Sequence, residues 1–157
     1  RVEASNPGSL LVDIDRIIDT APHSRNENMA SFLRIVRICE ERGSGFDRME
    51  EGMNELKIPA PKVETSEDFT RIKLFWFNDI SDWKKDDRIR TCYLYTCYCY
   101  INEIDVSNAV LRERFGVSSN KKAMISKIIK STIDAGYIKI YDETASMKMR
   151  RYKPYWA

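Results

Sequence analysis

Between Ser119 and Ala135 the sequence SNKKAMISKIIKSTIDA is compatible with one regular structure, an amphipathic helix, which Gly136 ends. At about 100° per residue, Ile125, Ile128, Ile129, Thr132 and Ile133 fall on one face, which must meet a core. The opposite face carries Asn120, Ala123, Ser126, Lys127, Lys130 and Ser131, so small and hydrogen-bonding groups lie between cations. Such a face is thin enough to enter a DNA major groove, with amide and hydroxyl groups for base edges and lysines for phosphates. A merely solvated face would carry similar charge but would gain nothing from the small Ala123 and Ser126.

The neighbouring elements narrow the fold. DVSNAVLRERFG predicts a short helix with Ser107 or Asn108 as N-cap, an apolar stripe of Val110, Leu111 and Phe115, and a stop at Gly116. YIKIYDETASMKMRRYKPYW consists of two alternating runs around a polar tip, the pattern of a hairpin. The aromatic run TCYLYTCYCYIN is compatible with strand or helix, and Asp87 to about Ile104 is assigned as helix because the following elements demand it. Helix, short helix, turn, longer helix and basic hairpin is the order of a winged helix-turn-helix, placed here at residues 87–157.

Charge separates the two halves. Residues 1–83 hold 11 Lys/Arg and 16 Asp/Glu, a net −5, whereas residues 84–157 hold 15 and 8, a net +7. A basic half beside an acidic one fits a nucleic-acid-binding module joined to something else. The DNA-contacting set expected from the helix and hairpin is Asn120, Lys122, Ser126, Lys127, Lys130, Lys148, Arg150 and Arg151, with Lys139 and Lys153 also on the hairpin. Tyr137, Tyr141, Tyr152, Tyr155 and Trp156 are expected to pack the hairpin against the core, which favours duplex over single-stranded DNA.

The first half reads as α+β. A strand runs into a turn at Asn6-Pro7-Gly8, and an irregular connection follows. A helix beginning at Asn28-Met29-Ala30 has the stripe Phe32, Ile35, Val36 and Cys39 and stops at Gly43. A second helix turns Phe46, Met49, Met53 and Leu56 inward and ends at Pro59 and Pro61, and PKVETSEDFTRIKLFWF follows as a strand or strand pair. The polar segment 78–86 is placed as a linker.

No apolar run approaches the roughly 20 residues of a membrane span, so no membrane partner and a cytoplasmic location are expected. The opening RVEASNPG, already inside a strand pattern and without a signal pattern, predicts that the chain is part of a longer protein. Cys39, Cys92, Cys97 and Cys99 lack zinc-ligand spacing and fall in helical segments, so buried thiols are expected and neither a disulfide nor a metal site is.

NPG at 6–8, RN at 25–26, ERGSGFDRM at 41–49 and the FTRIKLFWF strand resemble the C-terminal region of transcriptional regulators with an N-terminal AlbA-type (Schlafen-like) domain, often labelled RecG-like helicases. The tail, LRERFGVS through RRYKPYWA, resembles the winged-helix end of the same proteins. The resemblance covers nearly the whole chain. It implies that residues 1–77 are part of a divergent GHKL-type ATPase-like domain, with Asn6, Gly8, Gly43 and Gly45 near nucleotide. The glycines also read as a helix C-cap at Gly43 and a tight turn at Gly45. Gly43-Ser44-Gly45 precedes Phe46-Asp47, not the Lys-Ser/Thr of a phosphate-cradling loop, so helicase activity has no residue to carry it. The expectation is a DNA-binding bacterial regulator fragment, able to form homo-oligomers and without catalytic residues or a cofactor of its own, ATP and magnesium belonging to the full-length protein. The alternatives are a truncated ATPase module and a winged helix that contacts protein.

Overall fold

A run rich in aromatic and β-branched residues can be strand or buried helix, and residues 91–99 are helix. In the computed structural model, which describes residues 1–21, 23–38 and 45–157, helix α3 spans Lys85–Ile101. Thr91–Cys97 and Cys99 are buried, so the middle of α3 is covered on all sides, as a helical stretch without an amphipathic face must be. Its two threonine hydroxyls donate within the helix: Thr91 to the Asp87 carbonyl at 2.7 Å and Thr96 to the Cys92 carbonyl at 2.7 Å. Burial pushes the Cys92 and Cys97 thiols up to about 12 and Cys99 to about 11, so all three stay protonated at neutral pH. Cys39 lies outside the described residues.

The fold is α+β, with five α-helices and two small antiparallel sheets among the described residues. Strands β1 (Val2–Pro7), β2 (Lys62–Thr65) and β3 (Phe69–Leu74) pair in the order β1-β3-β2, with Val2 opposite Leu74 and Val63 opposite Ile72. Gly8 turns the chain out of β1 at φ +92°, a conformation that favours glycine, and its N–H donates to the Asp68 carbonyl at 2.7 Å.

Helix α1 (Glu27–Ile35) begins at the Asn26 cap, whose side chain accepts from the Met29 N–H. Its apolar stripe is not covered: Phe32 and Ile35 are 60% and 74% exposed. Helix α2 (Gly45–Glu55) buries Phe46, Glu50 and Met53. Leu56, expected inward, is exposed, because the helix ends at Glu55 and Lys57 turns left-handed at φ 55°. Ile58 takes the buried place, its N–H donating to the Met53 carbonyl at 3.1 Å.

The chain from Ile58 to Pro61 lies against α3. The buried Ala60 N–H donates to Thr91 Oγ1 at 3.0 Å, and Arg90 donates to the Ala60 carbonyl at 3.0 and 3.3 Å. Thr91→Val keeps the shape but strands that N–H, so it should lower stability by about 1–3 kcal/mol in urea unfolding. The segment placed as a linker carries Ile80 and Trp83 into the core, and Trp83 packs on Phe115 at 5.6 Å between ring centroids.

Helix α4 (Asn108–Arg114) is capped by Ser107, and α5 spans Lys122–Asp134 after a 3-10 turn at Ser119–Lys121. Gly136, at φ +80°, reverses the chain into β4 (Ile138–Ile140), which pairs with β5 (Tyr152–Pro154). The Tyr152 N–H also donates to the Val106 carbonyl at 3.0 Å, tying the hairpin to the chain before α4.

A fully buried ion pair joins the two halves. Arg114 Nη2 approaches Glu50 Oε1 at 3.4 Å, Arg114 Nη1 donates to the Ile58 carbonyl at 3.1 Å, and the guanidinium lies 5.7 Å from the Tyr95 ring centroid. Glu50 Oε2 and Arg114 Nε have no hydrogen-bond partner. Burial outweighs the pull of Arg114 and lifts the Glu50 carboxyl to about 7.

Candidate nucleic-acid interface

The two faces of α5 have separate tasks. Ile125, Ile128, Ile129 and Thr132 are buried, while Ala123, Ser126, Lys127 and Lys130 are exposed. The outer face forms one wall of a groove of about 620 Å³, and the residues leading into β5 form the other. Lys122, Lys127 and Lys130 stand on the helix side, with Lys148 and Arg150 opposite, and among the described residues no carboxylate lines the groove. None of these five cations is ion-paired among the described residues, and the Arg150 Nε is buried without a hydrogen-bond partner. Unpaired cations facing one another across an acid-free groove create a local positive potential that only an anion relieves.

Asn108, on α4, also lines this groove and was not among the sequence candidates for contact. Its Nδ2 donates to Ser126 Oγ at 3.1 Å, and its Oδ1 accepts from Arg112 Nε at 3.2 Å. The signal was the ambiguous Ser107-Asn108 cap. Ser107 takes the cap, accepting from the Val110 N–H at 3.4 Å, so the Asn108 amide is left to bridge α4 and α5. Ser126 Oγ donates to the Lys122 carbonyl at 3.2 Å, which leaves it an acceptor toward the groove.

Two expected contact residues lie elsewhere. Asn120 sits in the 3-10 turn before α5, exposed, with its Oδ1 accepting from Ser118 Oγ, and it does not line the groove. Arg151 faces a different depression, lined by Glu103, Asp105 and Tyr141, where its Nε is 3.9 Å from Asp105 Oδ2. Successive residues entering a strand point to opposite sides, so Arg150 and Arg151 separate. Lys139 is exposed on β4, and Lys153 Nζ lies 5.1 Å from the Tyr141 ring centroid.

The hairpin aromatics anchor the groove to α3. Tyr137 and Tyr155 lie 5.0 and 6.2 Å from Tyr93 between centroids, and Trp156 meets Tyr100 edge-on at 5.4 Å. Trp156 Nε1 donates to the Tyr93 hydroxyl at 3.3 Å. Tyr141 alone of the expected anchors is mostly exposed, at 67%.

Asn6 is exposed opposite Thr70 on β3, and Gly8 lies beside the Arg25 guanidinium. Gly45 opens α2, and Gly43 lies outside the described residues. Asn6, Gly8 and Gly45 line neither the cationic groove nor the depression that Arg151 faces.

Comparison with known proteins bears on the first half. Residues 1–74 match the family model described as "Putative ATP-dependent DNA helicase recG C-terminal", which supports a divergent, RecG-like ATPase-type segment ending at Leu74, the last residue of β3. No curated protein and no solved structure matches the chain. Among the described residues, no helix is long and apolar enough to cross a membrane.

Proposed function

We propose that this chain is the duplex-DNA-binding part of a transcriptional regulator, in which residues 87–157 act as a winged helix. Helix α5 enters the major groove and the β4–β5 connection lies along the phosphate backbone. The observation that carries this reading is the groove between them, lined by five cations with, among the described residues, no ion-pair partner and no carboxylate beside them. Lys127, Lys130, Lys148 and Arg150 hold phosphates, Lys122 stands at the entry, and Ser126 offers an acceptor lone pair to a base edge. Asn120, in the exposed turn before α5, and Arg151, on the far side of the hairpin, are peripheral to this contact. The protein works in the cytoplasm, as a homo-oligomer if its operator is symmetric.

The test is a salt titration with a pool of random duplexes. Four phosphate contacts, with Lys122 as a partial fifth, give log K against log salt a slope of about −3.5 to −4.5. Independence of salt would exclude a contact with the backbone.

A second reading, nucleotide binding by the first half, is favoured by the match over residues 1–74. In that reading Asn6, Gly8, Gly43 and Gly45 stand near ATP, whose magnesium ligand lies elsewhere in the full-length protein. This chain is expected not to hydrolyse ATP by itself. Turnover that persists through repeated purification and disappears in Gly45→Val would reverse that expectation.

A further inference from the structure

The cationic groove also holds a small polar cluster in which the hydrogen-bonding directions are determined. Arg112 Nε can only donate, so the Asn108 atom that meets it at 3.2 Å is the carbonyl Oδ1, and the orientation of the amide is fixed. Nδ2 is thereby turned toward α5, where it donates to Ser126 Oγ at 3.1 Å and to the Lys122 carbonyl at 3.4 Å. A carbonyl can only accept, so Ser126 commits its one hydroxyl proton to that same Lys122 carbonyl, at 3.2 Å.

A hydroxyl oxygen has two lone pairs, and Asn108 occupies one of those on Ser126. Ser126 is exposed on the groove, and what it still offers there is a lone pair without a proton. A serine whose proton rotates freely suits either kind of base edge, but this one is held as an acceptor. An acceptor is complementary to an exocyclic amine. In the major groove the amines are adenine N6 and cytosine N4, whereas thymine O4 and guanine O6 would set oxygen against oxygen. Every base pair carries one such amine and one such oxygen, on opposite strands. The site therefore tells one strand from the other and does not tell A·T from G·C.

Resting on the reading of this groove as the duplex-DNA contact, we propose that Ser126 selects an amino base, adenine or cytosine, at one position of one strand. Asn108 is the positioning residue that makes Ser126 selective, although it lies on α4 and not on the helix that enters the groove. The lysines beside them are donors, suited to phosphates, and do not supply this choice.

The test begins with selection of a duplex pool with a randomised core on the full chain. One position of the recovered site should be biased toward adenine and cytosine on one strand. The site is then made in two versions that differ only by inversion of that base pair, which keeps composition and charge. Fluorescence anisotropy should show about fivefold tighter binding of the amino orientation, the effect of one hydrogen bond gained or lost. In Ser126→Ala and in Asn108→Ala the two versions should differ by less than about twofold, because the first lacks the acceptor and the second frees the hydroxyl to serve either base. The ratio of two affinities measured on one protein is insensitive to a partial loss of folded chain. A recovered site without such a biased position, or a variant of either residue that keeps the fivefold ratio, would overturn the proposal while salt-dependent duplex binding left the DNA reading standing. Failure of the parent chain to bind any duplex would overturn both.

Discussion

Arg114→Ala should destabilise the protein by about 3–5 kcal/mol at pH 8, because it leaves the Glu50 carboxyl buried without its counterion and opens a cavity beside Tyr95. At pH 5 the cost should be about 1–2 kcal/mol smaller. Glu50 titrates at about 7 in the folded chain against 4.5 ordinarily, so the native state binds the extra proton. A carboxyl raised in this way contributes stability that is complete below 4.5 and lost as pH rises through about 7, at most roughly 3 kcal/mol over that window. Removal of Arg114 lifts the carboxyl further and moves the window upward. Glu50→Gln should abolish this part of the pH dependence and be no less stable than the parent at pH 8. Urea unfolding of the three proteins between pH 4.5 and 8.5 checks the sign. A Glu50→Gln chain that retains the parent's fall in stability across pH 7 would show that another group titrates there.

The second large effect concerns the groove. Lys127→Ala, Lys130→Ala and Arg150→Ala together remove three of its five cations. Duplex affinity should fall on the order of 100-fold near 0.1 M salt, and the salt slope should flatten by about 2 to 3 units. Arg151→Ala should change affinity less than about twofold, because that side chain faces Asp105 on the other side of the hairpin. Adjacent arginines thus behave differently, as composition alone would not have indicated. Fluorescence anisotropy at several salt concentrations separates the two. Equal losses for Arg150→Ala and Arg151→Ala would mean that the backbone runs along the tip of the hairpin rather than through the groove.

The isoleucine stripe of α5 was legible in the sequence because its period matched a helix with one dry face, and the glycines at 116 and 136 marked left-handed turns. The aromatic run of α3 was legible only through its neighbours, since a helix buried all round has no period to read. The same logic misled at α1 and Leu56: an apolar side chain on a periodic face signals a partner but cannot say that one is present, and Phe32, Ile35 and Leu56 are exposed.

The Glu50–Arg114 pair was visible in principle. Glu50 falls one turn after Phe46 and Arg114 three residues after Leu111, both on buried stripes, so two charges of opposite sign stood where core residues belonged. The groove itself depends on pairing register. The sequence placed Arg150 and Arg151 on one hairpin, but only the pairing of Ile140 with Tyr152 fixes which of them faces α5. A cavity between the halves brings Asp15, Phe46 and Tyr137 together across the whole chain, and no local pattern encodes such a meeting.

Whether the groove is the DNA contact is tested most directly by amine footprinting, in which the acetylation rate of each lysine is read with and without a saturating duplex. Lys127, Lys130 and Lys148 should become protected, with a smaller effect at Lys122, while Lys57, Lys62 and Lys73 keep their rates because they lie in the other half and off the groove. Protection spread evenly over all lysines, or concentrated on Lys57, Lys62 and Lys73, would contradict it.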